Sequence, residues 1–550
     1  MKRIAFLLLC CYALIGVQAQ NKNHNFNVAK NIDVFTNIYQ SLDMMYVDTL
    51  DANQVIGNGI EAMLNSLDPY TIYYTQEKEE ELSTMITGKY AGIGALIKYN
   101  NQIKNVVIDQ PYANTPSALA GLQKGDIILA IDNLSMAGKD NSFVSNHLRG
   151  TAGTTFQLKV KRPVSGKVFT VKITRKSIQL PAVPYYGMRP NNIAYINLSS
   201  FTEGCSSDVR KAFIELREKG AKGLVLDLRD NGGGSLSEAV KIVNMFVPKG
   251  ITLVKTKGKI ARANSEYKTT EEPIDTVMPI VVLVNENTAS ASEITAGSLQ
   301  DLDRGVVLGA KTFGKGLVQQ VVQVPYGGSL KLTSGKYYIP SGRCIQALKY
   351  KHAKGGRAEA LPDSLVKTFY TLNKREVKDG GGIMPDVKVK GDSVPNIALY
   401  LASFRDSNEV MFNYELDYIA KHASIASPET FHLTDADYEE FKQRVIKSGF
   451  KYDGETAKLL KSLEQLARFE GYYDLSKEQF NALKDKLQHN VAHDLEYNKA
   501  FIKELLEGDI VRAYYYQGGG IAYSLTKDVF FKRATELLTN TKEYNNILKK

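Results

Sequence analysis

The sequence predicts a multidomain α+β chain, with an α/β core, an inserted β-rich module, a helical N-terminal segment and a helical C-terminal region. Three patterns lead to this expectation. Continuous apolar runs alternate with amphipathic helical patterns between residues 190 and 345, which is typical of parallel strands covered on both faces. Short alternating runs separated by Gly, Asn and Asp fill residues 86–178. Apolar residues recur at three- and four-residue steps near both ends of the chain.

These patterns divide the chain of 550 residues into segments. They are a secretory signal at 1–19, a helical segment at 20–85, the β-rich module at 86–178, the α/β core at 179–394 and the C-terminal helical region at 395–550. Pro69 is expected to end the second N-terminal helix. The C-terminal region is expected to be a scaffold that packs against the core or supports a dimer, with a partner-binding domain as the alternative.

Composition and charge argue against two kinds of site. The chain carries 69 Lys and Arg against 59 Asp and Glu, for a formal charge of +10. The basic residues are interleaved with acids and form no dense run, so the charge indicates a solvated surface rather than a nucleic-acid-binding one. No cluster has the spacing of metal ligands, and we expect neither a metal nor a cofactor.

The first 19 residues contain the features of a secretory signal in their usual order. Two basic residues precede a short apolar run that ends near Ala19, the expected cleavage point. The run is too short for a membrane anchor, and a lipoprotein cut before Cys10 is disfavoured because Leu9 is bulky. We therefore expect an exported protein of the periplasm or cell envelope. Its remaining Cys205 and Cys344 are no disulfide scaffold, although one bridge stays open.

A candidate nucleophile lies where a buried strand meets a helix. In IVVLVNENTASASEITAG, residues 280–297, an apolar strand leads through a polar turn to a helix start that holds Ser290 and Ser292. A serine hydroxyl needs a base within hydrogen-bond reach to act as a nucleophile. None of the seven histidines lies within residues 190–345, where strands and helices alternate, or within a motif, so each is interpreted as a surface histidine.

A lysine is the other candidate base. Lys315 lies between Gly314 and Gly316, just before the apolar strand of KTFGKGLVQQVVQV. A lysine base must be neutral, and lowering its pKa from about 10.4 to about 7.5 costs roughly 4 kcal/mol, which burial can impose. On residue type alone, an ordinary surface lysine remains the alternative. The preceding LGAKT is no phosphate loop, because Ala310 replaces a required glycine and a strand follows.

Glycines provide candidate donors for an oxyanion. The buried strand in LDLRDNGGG ends at Gly232–Gly234, where backbone amides are unobstructed, and a serine at a helix start adds the N–H of the next residue. Such glycine turns are also common as purely structural features. The small residues at 289–297 are expected to let a substrate backbone approach the helix start closely.

Several stretches, in order, resemble the carboxyl-terminal processing proteases, also called tail-specific proteases, of serine peptidase family S41. These stretches are SLDPYT, GLQKGDIILAID, LRGTAGT, LDLRDNGGG, VNENTASASEI, GKGLVQQ, PSGRCIQ and GGGIMPDV. They extend from about residue 60 to 390, and the β-rich module among them resembles a PDZ domain. The family is a group of endopeptidases that use a Ser–Lys dyad.

The resemblance implies a set of site residues. They are Ser290 as nucleophile, Lys315 as base, Gln319 as the group that orients the lysine, and the amides of Ala291 and of Gly233 or Gly234 as the oxyanion hole. Ser290 and Lys315 are 25 positions apart, which matches the family's spacing. Ser292 is then expected to be structural, as a small residue or a cap at the helix start.

The PDZ resemblance implies how substrates are recognised. YAGIGALI, with Gly92, Ile93 and Gly94, fits the loop that captures a C-terminal carboxylate. Arg149 in LRGTAGT lies where the family couples this module to the active site. The expected substrates are proteins or peptides with apolar C-termini. A homodimer through the N-terminal helices and a regulatory adaptor are left open.

Two positions depart from the family pattern. Cys344 replaces the usual serine in PSGRCIQ, and Asn287-Thr288 replaces the more frequent Gly-Ser or Gly-Thr.

Two other functions are alternatives to this one. A non-catalytic PDZ scaffold that binds C-termini of envelope proteins is the main alternative, and the intact dyad argues against it. An acyl hydrolase of the Gly-x-Ser-x-Gly type is disfavoured because TASAS lacks both glycines.

Overall fold

The computed structural model describes residues 2–350, 358–360, 362–391, 393–402, 409–452, 455–487 and 490–549. Within residues 2–22 it describes the helical backbone only, so the side chains of the expected signal lie outside the described part. The chain forms two compact units. One holds the N-terminal helices and Val321–Leu332; the other holds the β-rich module, the α/β core and the C-terminal helices.

Helices occur along the whole chain and dominate its two ends. In chain order they are α1 Lys2–Met45, α2 Ala52–Asn65, α3 Glu79–Thr87, α4 Pro116–Leu119, α5 Asn141–Leu148, α6 Cys205–Glu218, α7 Leu236–Asn244, α8 Ala291–Asp301, α9 Asn396–Ala402, α10 Val410–Lys421, α11 Asp435–Lys447, α12 Glu455–Phe469, α13 Lys477–Lys486, α14 Val491–Tyr497, α15 Lys499–Ser524, α16 Val529–Thr539 and α17 Thr541–Leu548.

The strands lie in the middle of the chain. In the same order they are β1 Ile72–Tyr74, β2 Lys89–Gly92, β3 Ala95–Asn100, β4 Asn105–Pro111, β5 Ile127–Ile131, β6 Leu134–Ser135, β7 Thr155–Lys161, β8 Val168–Thr174, β9 Lys176–Gln179, β10 Tyr185–Arg189, β11 Ile193–Asn197, β12 Gly223–Asp227, β13 Thr252–Gly258, β14 Ser265–Lys268, β15 Ile280–Val284, β16 Val306–Gly309, β17 Leu317–Val324, β18 Gly328–Tyr338, β19 Leu348–Tyr350, β20 Ala358–Ala360, β21 Thr368–Tyr370, β22 Glu376–Lys378 and β23 Val387–Lys388.

The second N-terminal helix ends earlier than the sequence predicts. α2 stops at Asn65, so the prediction that Pro69 ends it is wrong by several residues. The chain turns instead at Asp68, whose carboxylate accepts hydrogen bonds from the amides of Tyr70 and Thr71 at 2.8 and 2.9 Å. An aspartate that bonds to amides two and three residues ahead offers the backbone an alternative to the helix.

The β-rich module folds around one sheet in the order β3-β4-β5-β7-β8, with β6 beside β5. Alternate residues of β7 are buried, as the period-two pattern predicts. The helices α4 and α5 are the two short helices of this module. Antiparallel pairing of β2 with β9 brings the two ends of the module together. β3 lies at an edge of the sheet and so leaves one side open for a further strand.

The core contains a six-stranded sheet in the order β10-β11-β12-β15-β16-β23. All pairs from β11 to β23 are parallel, and β10 joins β11 antiparallel. Every residue of β12, β15 and β16 is buried. The continuous apolar runs therefore have the predicted cause, which is burial on both faces of a parallel sheet.

Two different parts of the chain cover this sheet. On one face α6, α7 and α8 pack on the strands in one hydrophobic cluster. On the other face the C-terminal side chains Phe531, Leu537, Tyr544 and Leu548 pack on the strands. The C-terminal helices are thus a layer of the α/β core rather than an appendage. Among the expectations for this region, packing against the core is the one this contact supports.

The C-terminal region also contacts the β-rich module through α10. Phe412 and Leu416 pack on a small buried patch formed by β4 and β5. Lys124 pairs with Glu415 at 3.0 Å. Burial raises the pKa of Glu415 to about 8, while Lys124 acts in the opposite direction. Because Glu415 is buried and Lys124 is only partly exposed, replacing Lys124 would leave the carboxylate of Glu415 without a compensating charge.

The two cysteines that follow the expected signal form no bridge. Cys205 and Cys344 are both free thiols, so the disulfide that the sequence left open is absent. In the part of the chain that the structure describes, no helix is both long enough and apolar enough to cross a membrane.

Tyr544→Phe tests whether α17 supports the six-stranded sheet. The Tyr544 hydroxyl lies 2.9 Å from the Ile280 nitrogen and 3.0 Å from its carbonyl oxygen, at the first residue of β15. Losing it removes one partner from each of these two buried backbone groups, and we expect the free energy of unfolding to fall by about 1–3 kcal/mol. Urea unfolding followed by circular dichroism measures this. Tyr497→Phe, at a side chain 82% exposed, is the control, and equal effects would contradict the assignment.

Candidate active site

The nucleophile turn connects β15 to α8. Ser290 is the N-cap of α8, is partly buried and has φ 57° and ψ −116°. A non-glycine residue with positive φ costs on the order of 1–3 kcal/mol and persists only where its surroundings hold it. Here the Thr288 hydroxyl donates to the Leu228 carbonyl at 2.9 Å, and the Ala289 amide donates to the Asn231 carbonyl at 3.0 Å. The serine therefore stands at a strained turn before a helix N-terminus.

The small residues of α8 allow the helix to pack closely inside the protein. All eleven residues of α8 are buried. A Cβ at Gly297 would lie 2.7 Å from both Ile339 and Ile383. Within the helix body these small residues therefore admit the protein's own side chains, and the close approach of a substrate backbone to the helix start stays a prediction. Ser292 is not the cap but lies in the first turn, where its hydroxyl donates to the Asn231 carbonyl at 2.9 Å.

A buried carboxylate joins the nucleophile turn to the lysine loop. Glu293 is fully buried, and its Oε2 accepts hydrogen bonds from the amides of Ser290 and Lys315, both at 2.9 Å. Its Oε1 accepts from the Thr312 hydroxyl at 2.6 Å and the Gly314 amide at 2.7 Å. Burial raises the pKa of Glu293, while these four donors act in the opposite direction. The backbones of the two dyad candidates are thus bonded to one oxygen atom.

The role of Glu293 depends on residues far along the chain and was not predicted from the sequence. Three of its four partners lie 19 to 22 residues further along the chain. The available local signal was Ser290 followed three positions later by glutamate, which is the pattern of a helix capping box. That pattern predicts the bond to the Ser290 amide and gives no indication of the lysine loop.

The lysine loop, residues 310–316, runs between β16 and β17. Lys315 is partly buried, as a lysine base was expected to be. The flanking glycines permit close approach, since a Cβ at Gly314 would lie 2.4 Å from the Ala347 Cβ, and one at Gly316 would lie 2.7 Å from the Gln346 nitrogen. The buried Tyr337 hydroxyl is 2.7 Å from the Lys315 carbonyl and 3.2 Å from the Ser290 carbonyl. Tyr337 is a second link between the two segments.

Gln319 lies on β17, four residues after Lys315. Its side-chain amide donates to the Thr333 hydroxyl at 3.3 Å, across to β18. This contact fixes the side chain on the strand that follows the lysine loop. Its role in orienting Lys315 stays a prediction.

The glycine turn after β12 lies directly against the nucleophile turn. Gly233 and Gly234 have φ of 95° and 144°. A Cβ at Gly233 would lie 2.7 Å from the Ser290 Cβ and 2.8 Å from the Ala291 nitrogen. Only glycine fits at position 233, because any side chain would clash with the nucleophile turn. The two turns that are expected to form an oxyanion hole are therefore adjacent. The Gly233 amide donates to Asn231 Oδ1 at 2.9 Å, a bond that competes with any oxyanion for that donor.

The departure at Asn287 also joins these two turns. The side-chain amides of Asn285 and Asn287 donate to Asp230 Oδ1 at 2.8 and 2.9 Å. Asp230, which itself has φ 59°, begins the glycine turn. A glycine at position 287 would lack this bond, so Asn287 adds a side-chain link between the nucleophile turn and the glycine turn.

The residues predicted to bind a C-terminus converge on one groove of the β-rich module. Gly92 ends β2, Ile93 is buried, and Gly94 has φ 74° before β3 begins. Arg149 caps the C-terminal end of α5. Ile93 and Arg149 line one cavity of about 210 Å³ beside β3. Within the described residues no cluster of three His, Cys, Asp or Glu side chains is arranged to hold a metal ion.

Glu293→Gln tests the carboxylate link. Glutamine keeps the shape, but its NH₂ group would face two N–H or O–H donors, so we expect the free energy of unfolding to fall by about 1–3 kcal/mol and peptide hydrolysis to fall with it. Urea unfolding followed by circular dichroism reports the first, because the chain has no Trp. Glu286→Gln, an exposed carboxylate on the same turn, is the control. A neutral effect of Glu293→Gln would contradict the assignment.

Comparison with known families assigns three parts of the chain. Residues 192–351 match Peptidase family S41, residues 91–174 match the PDZ domain, and residues 398–538 match the probable PDZ-protease C-terminal helical domain. The last match agrees with the helical region seen in the structure.

Curated relatives extend the similarity over most of the chain. A carboxy-terminal-processing protease of Bartonella bacilliformis is 34% identical over 349 residues, which cover 63% of this chain and 79% of that protein. A probable CtpA-like serine protease of Staphylococcus epidermidis is 30% identical over 415 residues, covering 74% of this chain and 81% of that protein. Among solved structures, a photosystem II D1 C-terminal processing protease is 26% identical, with 65% of this chain and 87% of that one covered and a TM-score of 0.36. On the strength of the curated relatives, this chain belongs to peptidase family S41.

Proposed function

We propose that the chain is a serine endopeptidase that processes the C-terminal ends of proteins, with Ser290 as nucleophile and Lys315 as general base. The observation that carries the proposal is the hydrogen bonding of Glu293 Oε2 to the amides of both residues, each at 2.9 Å. Family membership supports the reaction type. The strained turn at Ser290 supports its choice over Ser292, whose hydroxyl is buried and engaged.

The proposed mechanism needs no group beyond the chain itself. Ser290 Oγ attacks the peptide carbonyl carbon as its proton passes to neutral Lys315 Nζ, which then protonates the leaving amine. Water hydrolyses the acyl-enzyme with Lys315 again as base. The Ala291 amide at the helix start and an amide of Gly233 or Gly234 stabilise the oxyanion. Gln319 orients Lys315 in this scheme.

Substrate recognition is assigned to the groove of the PDZ domain. An extended C-terminus adds as a strand beside the edge strand β3, and the loop Gly92–Gly94 captures its carboxylate. The cavity is lined by Ile93, Leu148 and other apolar side chains, which favours apolar C-terminal residues. Arg149 lies in the same cavity and is the proposed link to catalysis.

The proposal extends to export. Residues 1–19 are assigned as a secretory signal cut after Ala19, so that the mature chain begins at Gln20 and acts in the periplasm or cell envelope. The rival function, a PDZ scaffold without activity, is less favoured because a scaffold has no need for the strained Ser290 turn or its link to Lys315. A regulatory adaptor remains an additional partner that an activity assay can reveal.

Ser290→Ala and Lys315→Ala should each reduce cleavage by about 10³-fold or more, because the nucleophile or its base is lost. The assay uses the chain from Gln20 with one unfolded protein that carries either an apolar or a charged C-terminal tail, and mass spectrometry follows cleavage. Lys311→Ala, an exposed lysine in the same loop, is the matched control and should cleave normally. If every form, wild type included, is inactive yet binds the apolar tail, the scaffold or an adaptor-dependent enzyme replaces the proposal.

We also propose that two copies associate through α1. An apolar stripe follows one face of α1 at three- and four-residue steps, with side chains 37–73% exposed. Its members are Ile32, Phe35, Ile38, Leu42 and Met45. A contiguous exposed apolar stripe usually marks an interface. Light scattering should give a dimer mass that Phe35→Asp converts to a monomer and Lys30→Asp does not; a monomeric wild type at micromolar concentration would contradict the proposal.

A further inference from the structure

Asn231, the residue before the three glycines of the glycine turn, is fully buried. Its side-chain Nδ2 donates to the Leu198 carbonyl at 2.7 Å, and its Oδ1 accepts from the Gly233 amide at 2.9 Å. Leu198 is also buried and directly follows β11. Because one end of the side chain faces an acceptor and the other a donor, only one orientation of the amide satisfies both partners. The side chain therefore anchors Gly233 to the end of a neighbouring strand.

The backbone carbonyl of Asn231 bonds to the other half of the site. It accepts hydrogen bonds from the Ala289 amide at 3.0 Å and from the Ser292 hydroxyl at 2.9 Å. These two donors lie on either side of Ser290 in the chain. Asn231 thus bonds to both turns that are expected to form the oxyanion hole, to the glycine turn through its side chain and to the nucleophile turn through its backbone.

Phe201 fixes the plane of the peptide that joins Gly233 to Gly234. The Phe201 amide donates to the Gly233 carbonyl at 3.1 Å, and the Phe201 carbonyl accepts from the Ser235 amide at 2.8 Å. These two bonds form a parallel bridge between Phe201 and Gly234. In a trans peptide the carbonyl oxygen and the following N–H point in opposite directions. With the Gly233 carbonyl turned toward Phe201, the Gly234 N–H therefore points away from Phe201.

The two glycines consequently differ as oxyanion donors. The N–H of Gly233 is engaged by Asn231, and the carbonyl of Gly233 is engaged by Phe201. The Cα of Gly233 packs on the nucleophile turn, since an added Cβ would lie 2.8 Å from the Ala291 nitrogen. The Gly234 N–H belongs to the next peptide and is directed away from Phe201. Of the two glycine amides, that of Gly234 is therefore the one that can act together with the Ala291 amide.

We propose that Asn231 is a positioning residue that holds the Gly233–Gly234 peptide for catalysis. In this arrangement the N–H groups of Gly234 and Ala291 together bind the oxyanion that forms when a peptide carbonyl is attacked. The inference rests on the proposed function, in which an oxyanion forms at this site. An oxyanion hole is effective because its donors are aligned before the reaction begins. Without the Asn231 side chain, the glycine turn gains conformational freedom and that alignment is lost.

Asn231→Ala tests this role by separating kcat from KM. It removes the side-chain amide and leaves the backbone bonds to the nucleophile turn in place. Because the oxyanion exists only during the reaction, we expect kcat to fall about 10²-fold while KM stays unchanged. Cleavage rates are measured by mass spectrometry with the chain from Gln20 and several concentrations of the unfolded protein that carries an apolar tail.

Asn244→Ala is the matched control. Asn244 is also buried, and its side chain also bonds to backbone groups, at Thr270 and Glu271. Both variants lose buried hydrogen bonds, so urea unfolding should show a lower stability for both, whereas only Asn231→Ala should lose kcat. If Asn231→Ala is unfolded in the assay, Asn231→Asp takes its place. Aspartate keeps the shape and the acceptor for Gly233 but sets an oxygen against the Leu198 carbonyl, and kcat should fall at least about tenfold.

The outcomes separate this inference from the function on which it rests. If wild type cleaves and Ser290→Ala does not, but Asn231→Ala loses no more kcat than Asn244→Ala, this inference alone is wrong. A higher KM with unchanged kcat would overturn it as well, because it would assign Asn231 to substrate binding. If wild type does not cleave, or cleaves without Ser290, the proposed function and the inference fall together.

Discussion

The buried carboxylate of Glu293 is the constraint on which the candidate site depends. Its four accepted hydrogen bonds connect the start of α8 to the loop that follows β16. Burying a carboxylate away from water costs free energy of folding unless its oxygen atoms accept hydrogen bonds, so the four donors must stay in place. Both dyad candidates contribute backbone amides to that set. The relative position of the two backbones is therefore fixed by hydrogen bonds from their amides to Glu293, while the side chains of Ser290 and Lys315 carry the proposed chemistry.

The rest of the fold keeps this arrangement rigid. α8 is buried over its whole length, and its last residue, Asp301, pairs with the buried Arg343 at 2.8 Å. The sheet beneath is covered on its far face by α16 and α17, so the C-terminal helices support the strand that leads to Ser290. The same region contacts the PDZ domain through α10. One helical region thus packs on both the PDZ domain and the six-stranded sheet.

Much of this architecture can be predicted from sequence, for physical reasons that also explain the misses. Buried parallel strands such as β12 and β15 are continuous apolar runs, and Ser290 and Lys315 stand in motifs whose order is specific. Short strands such as β23, with two residues, have no period to detect. The role of Glu293 arises from contacts between distant segments, which local patterns do not encode. The small residues of α8 are evident in the sequence, but sequence alone does not show that the neighbours they admit are Ile339 and Ile383.

The most direct test of the central claim is the pH dependence of covalent labelling. A fluorophosphonate reacts with an activated serine, and peptide mapping by mass spectrometry identifies the residue and its rate of modification. The account predicts a single label on Ser290 whose rate rises from neutral to mildly alkaline pH, as Lys315 loses its proton, and which is lost in Lys315→Ala. A label on Ser292 or another residue, or a rate on Ser290 that stays flat down to about pH 5, would contradict a Ser290 nucleophile activated by a lysine base.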